Sequence, residues 1–481
     1  MPKHNSLKLL NIPLPKSSKF LLLYLLFLLP FLSTAQTVTV DSISIIGNKK
    51  TKPHVVLREL NFKLGDTLNL DDMTERFAEN RLLLLNTGIF RVADFNVKNW
   101  DTESKKAHIE LTVIETLPIL PVPIFELADR NFNVWWKEMG RDLERINYGL
   151  ILYHFNLTGR RDKLKLSGQR GYTRKAEIDY TLPGVNKSQT IGLGFNVLFA
   201  RNKEVAFRTF ENRLEFFKSP DSFLYRRFRA SARAFYRPKL FSTHRVELFY
   251  HNNNIDELVN TDLNPDFFGE DKTELSYFAL QYNFICDKRD IKPYPSKGFL
   301  FSATLRKDGL GIMNDRNSFH LSSRFAKYIP LSKRFSIEAI AQGRYSFVRK
   351  QQPYFDLKAL GFNEDYIRGY EFYVIDGLDY IYQKTALRFN IFSGDINFGK
   401  LSPFEALRKM PTRVYFNLNN DLGYTNDPYF NEGNPLNNSL LWGRGVGLDI
   451  IVYYALVVQM EYSFNHLGEK GFFLHIRAGF N

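Results

Sequence analysis

The side chains best suited to chemistry lie close together at Asp287 and Asp290, a spacing at which two carboxylates can share acid–base work. Arg289 lies between them, and an arginine there more simply pairs with a carboxylate and closes a turn. The nine histidines are scattered, and none has partners at the spacing of a catalytic triad. The sequence has no phosphate-binding loop, dinucleotide motif or metal-ligand cluster, and Cys286 is its single cysteine. We therefore predict no catalytic residue, no metal site, no cofactor and no enzymatic activity.

A second candidate is Arg368, at the centre of the stretch Ile367–Tyr370. This stretch lies inside a connection, residues 350–379, that is long enough to be either functional or disordered. Its aromatic residues and glycines favour order. A guanidinium group matches a carboxylate bidentately, so an arginine on a folded loop needs an acidic partner. Period-two alternation along a predicted strand at 413–423 places Asp421 on the polar face of that strand, where it can be this partner.

The composition restricts the class of protein around these residues. The chain has 481 residues, a formal net charge of +14 and an aromatic content of 15%. A basic surface favours phosphate-rich partners, either lipid or nucleic acid. The charge is spread over the chain and interleaved with aromatic residues, without a dense basic block, so nucleic acid is the weaker option. The mean hydropathy of −0.28 excludes a bundle of membrane helices but permits a membrane β-barrel, which has a polar interior.

The N-terminal part of the chain predicts an export signal and a small domain. Residues 1–35 have lysines, an apolar run and small residues before Gln36, as a cleaved signal peptide has. Residues 36–116 predict the order strand, helix, helix, strand, strand. With Gly-Asn after the first strand and Thr-Gly-Ile-Phe after the second helix, this segment resembles a POTRA (polypeptide-transport-associated) domain. Prolines in residues 117–142 predict a linker, and its two tryptophans indicate either an interfacial anchor or a helix packed in a groove.

Residues 143–481 predict a closed barrel. Strand-like segments recur about every 20 residues, with apolar residues on one face and polar residues on the other. Without helices to cover the apolar faces, a barrel with its apolar side outward satisfies every backbone group. We predict an all-β transmembrane barrel of about 16 antiparallel strands after one α/β domain. His154, His320 and His475 fall within predicted strands and are interpreted as polar residues of the lumen or an interface.

Several motifs, in this order on an alternating pattern, resemble one family, the BamA/TamA-type outer-membrane assembly and two-partner-secretion translocase superfamily. The resemblance covers essentially the whole chain after the signal. The motifs are Leu360-Gly361 and Ile367-Arg368-Gly369-Tyr370 in the loop; Asp287, Arg289, Asp290, Pro295 and Gly298 in a turn; Asp421 and Gly423; Gly443, Gly445 and Gly447; and the near-terminal Gly479-Phe480. The chain departs from the family where Phe362 replaces a glycine and where Asn481 follows the terminal aromatic residue.

The resemblance implies a salt bridge between Arg368 and Asp421 that latches the loop inside the barrel. It also implies a weak seam between the first strand, predicted at about Arg145–Thr158, and the last strand, ending at Gly479-Phe480. Gly149 in the predicted first strand permits weak pairing there.

The function implied is assembly at the cell outer membrane. A POTRA domain in the periplasm captures unfolded outer-membrane or secreted client polypeptides, and a barrel seam or pore inserts or translocates them. Periplasmic accessory proteins are further partners. A passive channel or transporter of solutes is the alternative, although a simple pore needs neither a POTRA domain nor a folded arginine loop.

Overall fold

The computed structural model describes residues 36–269, 272–313, 316–362, 365–397, 399, 409–429, 433–452 and 456–478. The predicted signal peptide, residues 1–35, lies outside the described residues, as do Gly479 and Phe480 of the predicted closing strand. Among the described residues, none of the helices has the length and apolar character that crossing a membrane requires.

The N-terminal domain is a four-stranded sheet with two helices. Its elements are β1 (Thr37–Ile46), α1 (Pro53–Leu57), β2 (Thr67–Asn69), α2 (Leu70–Leu85), β3 (Phe90–Asp101) and β4 (Lys106–Glu115). The strand order is β2-β1-β4-β3, with β1 and β4 parallel. Asn69 caps α2 by accepting a hydrogen bond from the Asp71 N–H at 3.1 Å. The predicted order of elements is confirmed, with β2 as a short additional strand.

Most of the described residues after this domain form one antiparallel sheet of sixteen strands, which confirms the predicted barrel. The strands are β5 (Ile119–Leu127), β6 (Ile146–Phe155), β7 (Lys163–Gly171), β8 (Thr173–Leu182), β9 (Ile191–Asn202), β12 (Tyr225–Lys239), β13 (Ser242–Ile255), β14 (Glu274–Asp287), β15 (Gly298–Asp308), β16 (Ser318–Pro330), β17 (Phe335–Ser346), β20 (Asp379–Asn397), β21 (Lys409–Asn426), β22 (Leu440–Val452), β23 (Leu456–Asn465) and β24 (Lys470–Ala478). Two hairpins outside this sheet are formed by β10 (Glu204–Phe210) with β11 (Arg213–Lys218), and by β18 (Lys358–Leu360) with β19 (Ile375–Asp376). Short helical turns occupy Val134–Glu138, Leu143–Arg145, Val259–Leu263 and Tyr354–Asp356.

The strands are apolar on the outside and polar on the inside. In β9, for example, Phe195, Val197 and Phe199 are exposed, whereas Asn196 between them is buried. Because side chains alternate between the faces of a strand, this pattern gives an apolar outer band and a polar lumen, as a membrane barrel requires.

The boundary between linker and barrel differs from the prediction. The predicted linker, 117–142, contains β5, and β5 pairs with β6 in the barrel sheet. The barrel therefore begins at Ile119, and the strand predicted as the first is the second. Pro121 and Pro123 suggested a linker because proline interrupts a ladder, but an edge strand accepts proline where its missing N–H faces the unpaired side. Gly149 consequently lies in β6, away from the seam.

The N-terminal domain contacts the near end of the barrel, called here the proximal end; the opposite end is the distal end. Glu59, after α1, receives hydrogen bonds from Arg161 at 2.8 Å and from Arg237 at 2.5 and 2.8 Å. These arginines follow β6 and lie in β12, respectively. The carboxylate is buried, so two barrel elements are fixed to the domain at one point.

Candidate functional site

The loop 350–379 lies inside the barrel near its distal end. The short strands β18 and β19 pair with each other and close the base of the loop. Between them, Ile367 and Tyr370 are almost fully buried and pack in one cluster with residues of the barrel wall such as Tyr382 and Leu441. An apolar anchor of this kind holds the stretch Ile367–Tyr370 against the wall.

Arg368 makes two salt bridges from this position. Its guanidinium lies 3.1 Å from Asp421 Oδ1 on β21 and 3.1 Å from Glu461 Oε1 on β23. The Arg368 backbone N–H also donates to Asp421 Oδ2 at 3.2 Å. All three side chains are buried, with Asp421 at 0% exposure. The partner predicted for Arg368 is therefore in contact with it, and Glu461 is a second partner that the sequence reasoning missed.

Glycines in the loop and in the wall permit this close approach. Gly369 has φ +87°, which a residue with a side chain adopts only with strain. A Cβ at Gly443 in β22 would lie 1.8 Å from the Arg368 carbonyl oxygen, and one at Gly423 in β21 would lie 2.7 Å from the Ile367 side chain. The glycine motifs therefore form the wall surface on which the loop rests.

Tyr370 and Gly369 attach the loop to the end of β23. The Tyr370 hydroxyl accepts a hydrogen bond from the Trp442 N–H at 3.2 Å and lies within hydrogen-bond distance of His466 Nδ1. Asn465 Nδ2 donates to the Gly369 carbonyl oxygen at 2.8 Å. The loop thus contacts β21, β22 and β23, the strands that precede β24.

The predicted turn motif between β14 and β15 lies at the proximal end. Arg289 binds the Asp287 carboxylate with two hydrogen bonds, at 2.8 and 2.9 Å, and Asp290 accepts from the Ser296 N–H at 3.0 Å. Gly298 has φ +104°, and a Cβ there would meet the Lys288 carbonyl oxygen at 2.0 Å. Both carboxylates are used to shape the turn, which leaves the acid–base alternative without support.

The same turn inserts Tyr294 and Pro295 into the lumen. The Tyr294 hydroxyl donates to Asp449 Oδ2 on β22 at 2.7 Å, and the Pro295 carbonyl oxygen accepts from Arg388 on β20 at 3.0 Å. The turn also contacts the N-terminal domain, because Asn86 Nδ2 donates to the Asp290 carbonyl oxygen at 3.0 Å. Sequence reasoning missed this link, although an aromatic residue between two prolines of a turn motif was the available signal.

The connection between β5 and β6 makes hydrogen bonds to the backbone of the loop 350–379. Arg130 donates to the carbonyl oxygens of Gly361, Phe372 and Tyr373 at 2.8–3.0 Å. Asn131 donates to the Glu371 carbonyl oxygen at 2.8 Å. Part of the predicted linker therefore covers the loop 350–379, and residues 130–133 are called the cap.

Asn133 extends this cap to the last strand. Its side-chain amide donates to the Phe472 carbonyl oxygen, and its Oδ1 accepts from the Leu474 N–H at 3.4 Å. Phe472 and Leu474 lie on either side of one residue of β24. A side-chain amide that donates to the first C=O and accepts from the second N–H makes the hydrogen bonds that a paired strand would make. Asn133 therefore joins the two ends of the sheet at the distal side.

The edge of β5 that faces the seam with β24 lacks two backbone donors. The Phe155 N–H donates to the Pro118 carbonyl oxygen at 2.7 Å. In the register of the β5–β6 ladder, even-numbered β5 residues therefore direct their backbone groups to β6. Odd-numbered β5 residues therefore direct their backbone groups to the seam, and two of these, Pro121 and Pro123, have no N–H. Within the described residues, no ladder joins β5 to β24.

Comparison with known proteins agrees with this architecture. The family model described as surface antigen variable number repeat, POTRA, matches residues 38–116, and the Omp85 superfamily domain matches residues 156–451. None of the curated proteins matches the sequence.

Solved structures share the fold at low identity. BamA from Haemophilus ducreyi lacking POTRA domains 1–3 is 14% identical with a TM-score of 0.52, covering 92% of this chain and 84% of that one. CdiB from Escherichia coli is 11% identical with a TM-score of 0.55, covering 92% and 76%. The Omp85 match spans more than half of the sequence, and an outer-membrane barrel with a periplasmic POTRA domain is the arrangement of that family. The chain belongs to the Omp85 superfamily.

Proposed function

We propose that this protein inserts or translocates client polypeptides at the outer membrane, with the POTRA domain receiving the client in the periplasm and the seam passing it on. Membership of the Omp85 superfamily supports outer-membrane protein insertion or secretion at the family level. The single observation that carries the proposal for this chain is that, in the part of the chain that the structure describes, no ladder pairs β5 with β24.

The β5 edge explains why the seam can open. Pro121 and Pro123 remove two donors from a strand of nine residues, so a full ladder with β24 cannot form. The backbone groups of an open edge can pair with an extended segment of another chain. A client strand can therefore displace the few contacts that join the seam.

The filled lumen disfavours the passive channel. Loop 350–379 lies inside the barrel near the distal end, and Tyr294 projects into the lumen from the proximal turn. A loop and a turn inside the lumen obstruct the path that a solute would take.

The partners proposed are unfolded outer-membrane or secreted polypeptides. Outer-membrane lipids and lipopolysaccharide surround the barrel, and periplasmic accessory proteins bind the POTRA domain. The edge strand of that domain, β2, has three residues, and β3 forms the opposite edge with twelve, which offers the longer template for an extended client.

A crosslink across the seam tests the proposal. In a Cys286→Ser background, cysteines replace Phe125 on β5 and Phe472 on β24, which are both exposed on the outer face. A bis-maleimide then joins them. The control pair replaces Leu321 and Tyr345, which lie opposite each other on the paired strands β16 and β17.

The readout is the folding rate of several outer-membrane barrels in liposomes that contain the refolded protein. We expect acceleration by the free protein and by the crosslinked control, and at least a tenfold loss in the seam crosslink. Full acceleration with a closed seam would contradict the proposed route. No acceleration together with steady ion conductance would favour a channel instead.

A further inference from the structure

Two carboxylates and one imidazole lie close together where the loop 350–379 contacts the barrel wall. They are Glu371 from the loop, Glu461 from β23 and His475 from β24, and one ligand atom of each lies within 4.8 Å of the others. His475 Nε2 is 3.6 Å from Glu461 Oε2 and 3.9 Å from Glu371 Oε1. The atoms therefore point into one small space.

The ligand atoms have no hydrogen-bond partners, although they are buried. Both carboxylate oxygens of Glu371, Oε2 of Glu461 and Nε2 of His475 are unsatisfied in this way. Glu371 and Glu461 are each 2% exposed. An unsatisfied buried polar atom costs about 1–3 kcal/mol, and more when the group is charged. Three such groups around one space indicate that something else satisfies them.

Two cations near this space, Arg368 and Lys384, contact groups other than the ligand atoms. Arg368 binds Asp421 and the other oxygen of Glu461, Oε1. The Lys384 ammonium lies 3.8 Å from the centre of the Tyr366 ring. Tyr366 in turn stacks on the His475 ring at 4.8 Å between centroids, which fixes the orientation of the imidazole. The histidine is thus held with Nε2 towards the two carboxylates.

We propose that Glu371, Glu461 and His475 bind one divalent transition-metal ion, with Zn²⁺ preferred. A single imidazole with two carboxylates is a donor set that suits zinc, whereas Mg²⁺ and Ca²⁺ favour oxygen ligands alone. With bonds of about 2.0–2.2 Å, two ligand atoms of a tetrahedral site are about 3.3–3.6 Å apart. The observed separations of 3.6 and 3.9 Å need at most small side-chain movements to reach this range. A water molecule completes the four ligands.

The ion would connect the loop 350–379 to β24, which the salt bridges of Arg368 do not reach. Arg368 reaches β21 and β23, whereas His475 belongs to β24, the last described strand, beside the seam. A bound ion therefore ties the loop 350–379 directly to β24. This inference stands apart from the proposed function, since a metal site can exist whether or not the seam passes clients.

Metal content and heat stability of the purified full-length protein test the proposal. The protein carries no histidine tag, is stripped with EDTA in detergent micelles, and is dialysed against Zn²⁺, Mn²⁺ or Mg²⁺. We expect about one Zn²⁺ per chain and a higher Tm with Zn²⁺, because a ligand that binds only the folded state stabilises it. Mg²⁺ at the same concentration should have no effect.

Variants locate the ion. Glu371→Gln and His475→Gln should each weaken Zn²⁺ binding at least tenfold, whereas His320→Gln, a matched change in β16, should leave it unaltered. Stoichiometric zinc in the Glu371→Gln/His475→Gln double variant would show an adventitious ion and overturn the proposal. A wild-type protein that binds no Zn²⁺ would also overturn it.

Discussion

At the scale of single residues, the interior of the barrel depends on charges that are almost completely removed from water. Arg368 and Asp421 are both buried, and each has lost its hydration. In such a pair the attraction offsets a large desolvation cost, so removing one partner leaves the other charge unpaired. The surface pair formed by Arg349 and Asp379, at 2.7 Å, has one partner 40% exposed and is a natural comparison at the start of the same loop.

We predict that Arg368→Ala destabilises the barrel by about 3–5 kcal/mol, because the buried carboxylates of Asp421 and Glu461 then lose the guanidinium that contacts both of them. The control Arg349→Ala should cost under about 1 kcal/mol, as exposed pairs do. Heat-dependent unfolding followed by gel mobility and by circular dichroism measures both. Equal stability of the two variants would show that the Arg368 pair contributes no more than a surface contact.

At the scale of elements, β5 determines how the seam of the barrel is held. Its prolines lie on the seam side, and the cap that follows it, residues 130–133, takes over the connection to β24. The seam is thus held by side chains at its distal end, whereas strand pairing holds the rest of the sheet. Side-chain contacts of this kind can be released without unfolding a ladder.

We predict that Pro121→Thr with Pro123→Val stabilises the closed seam. Each substitution restores an N–H directed at β24, and each hydrogen bond that forms contributes about 0.5–1.5 kcal/mol. The expected results are a higher unfolding temperature and slower client insertion in liposomes. Pro118→Thr is the matched control, because its backbone groups face β6. A double variant with unchanged unfolding temperature and insertion rate would contradict the role given to the prolines.

At the scale of the whole molecule, the buried carboxylate of Glu59 is one of the contacts that hold the POTRA domain against the barrel. Burial by itself raises the pKa of Glu59, but the charges and hydrogen bonds of Arg161 and Arg237 outweigh burial and lower it to about 2. A carboxyl whose pKa is lowered in the folded state stabilises that state above its ordinary pKa. This contribution is lost as the pH falls from about 4.5 to about 2.

We predict that the POTRA domain stays docked at pH 5 and loosens as the pH approaches 2. Glu59→Gln should be loosely docked throughout this range, whereas Glu75→Gln, an exposed change in α2, should behave as the wild type. Electron paramagnetic resonance distances between spin labels on the domain and on the proximal turns report docking. A Glu59→Gln variant with the wild-type distance distribution at pH 7 would contradict the prediction.

Much of the fold follows from local patterns in the sequence. Period-two alternation determines the strands and their inward faces, because a side chain changes face at every residue. The same rule places Asp421 on the lumen side, and the Ile367–Tyr370 stretch supplies an arginine that requires a carboxylate. The turn from Asp287 to Gly298 follows from an arginine between two aspartates and a glycine with positive φ.

Apart from Arg368 and Asp421, only the tertiary structure decided which residues distant in the sequence lie close together. Glu371, Glu461 and His475 lie on three separate elements, so no spacing in the sequence predicts a metal site, and none was predicted. The assignment of 119–127 to a linker was wrong. Prolines favour a strand only where their missing N–H groups face an unpaired edge, and the sequence does not show which side of a strand is unpaired. Asn133 is an ordinary loop residue in the sequence, and only closure of the sheet brings it to β24. Local periodicity thus determined the barrel and its latch, whereas contacts across the lumen and the seam depend on how sixteen strands close.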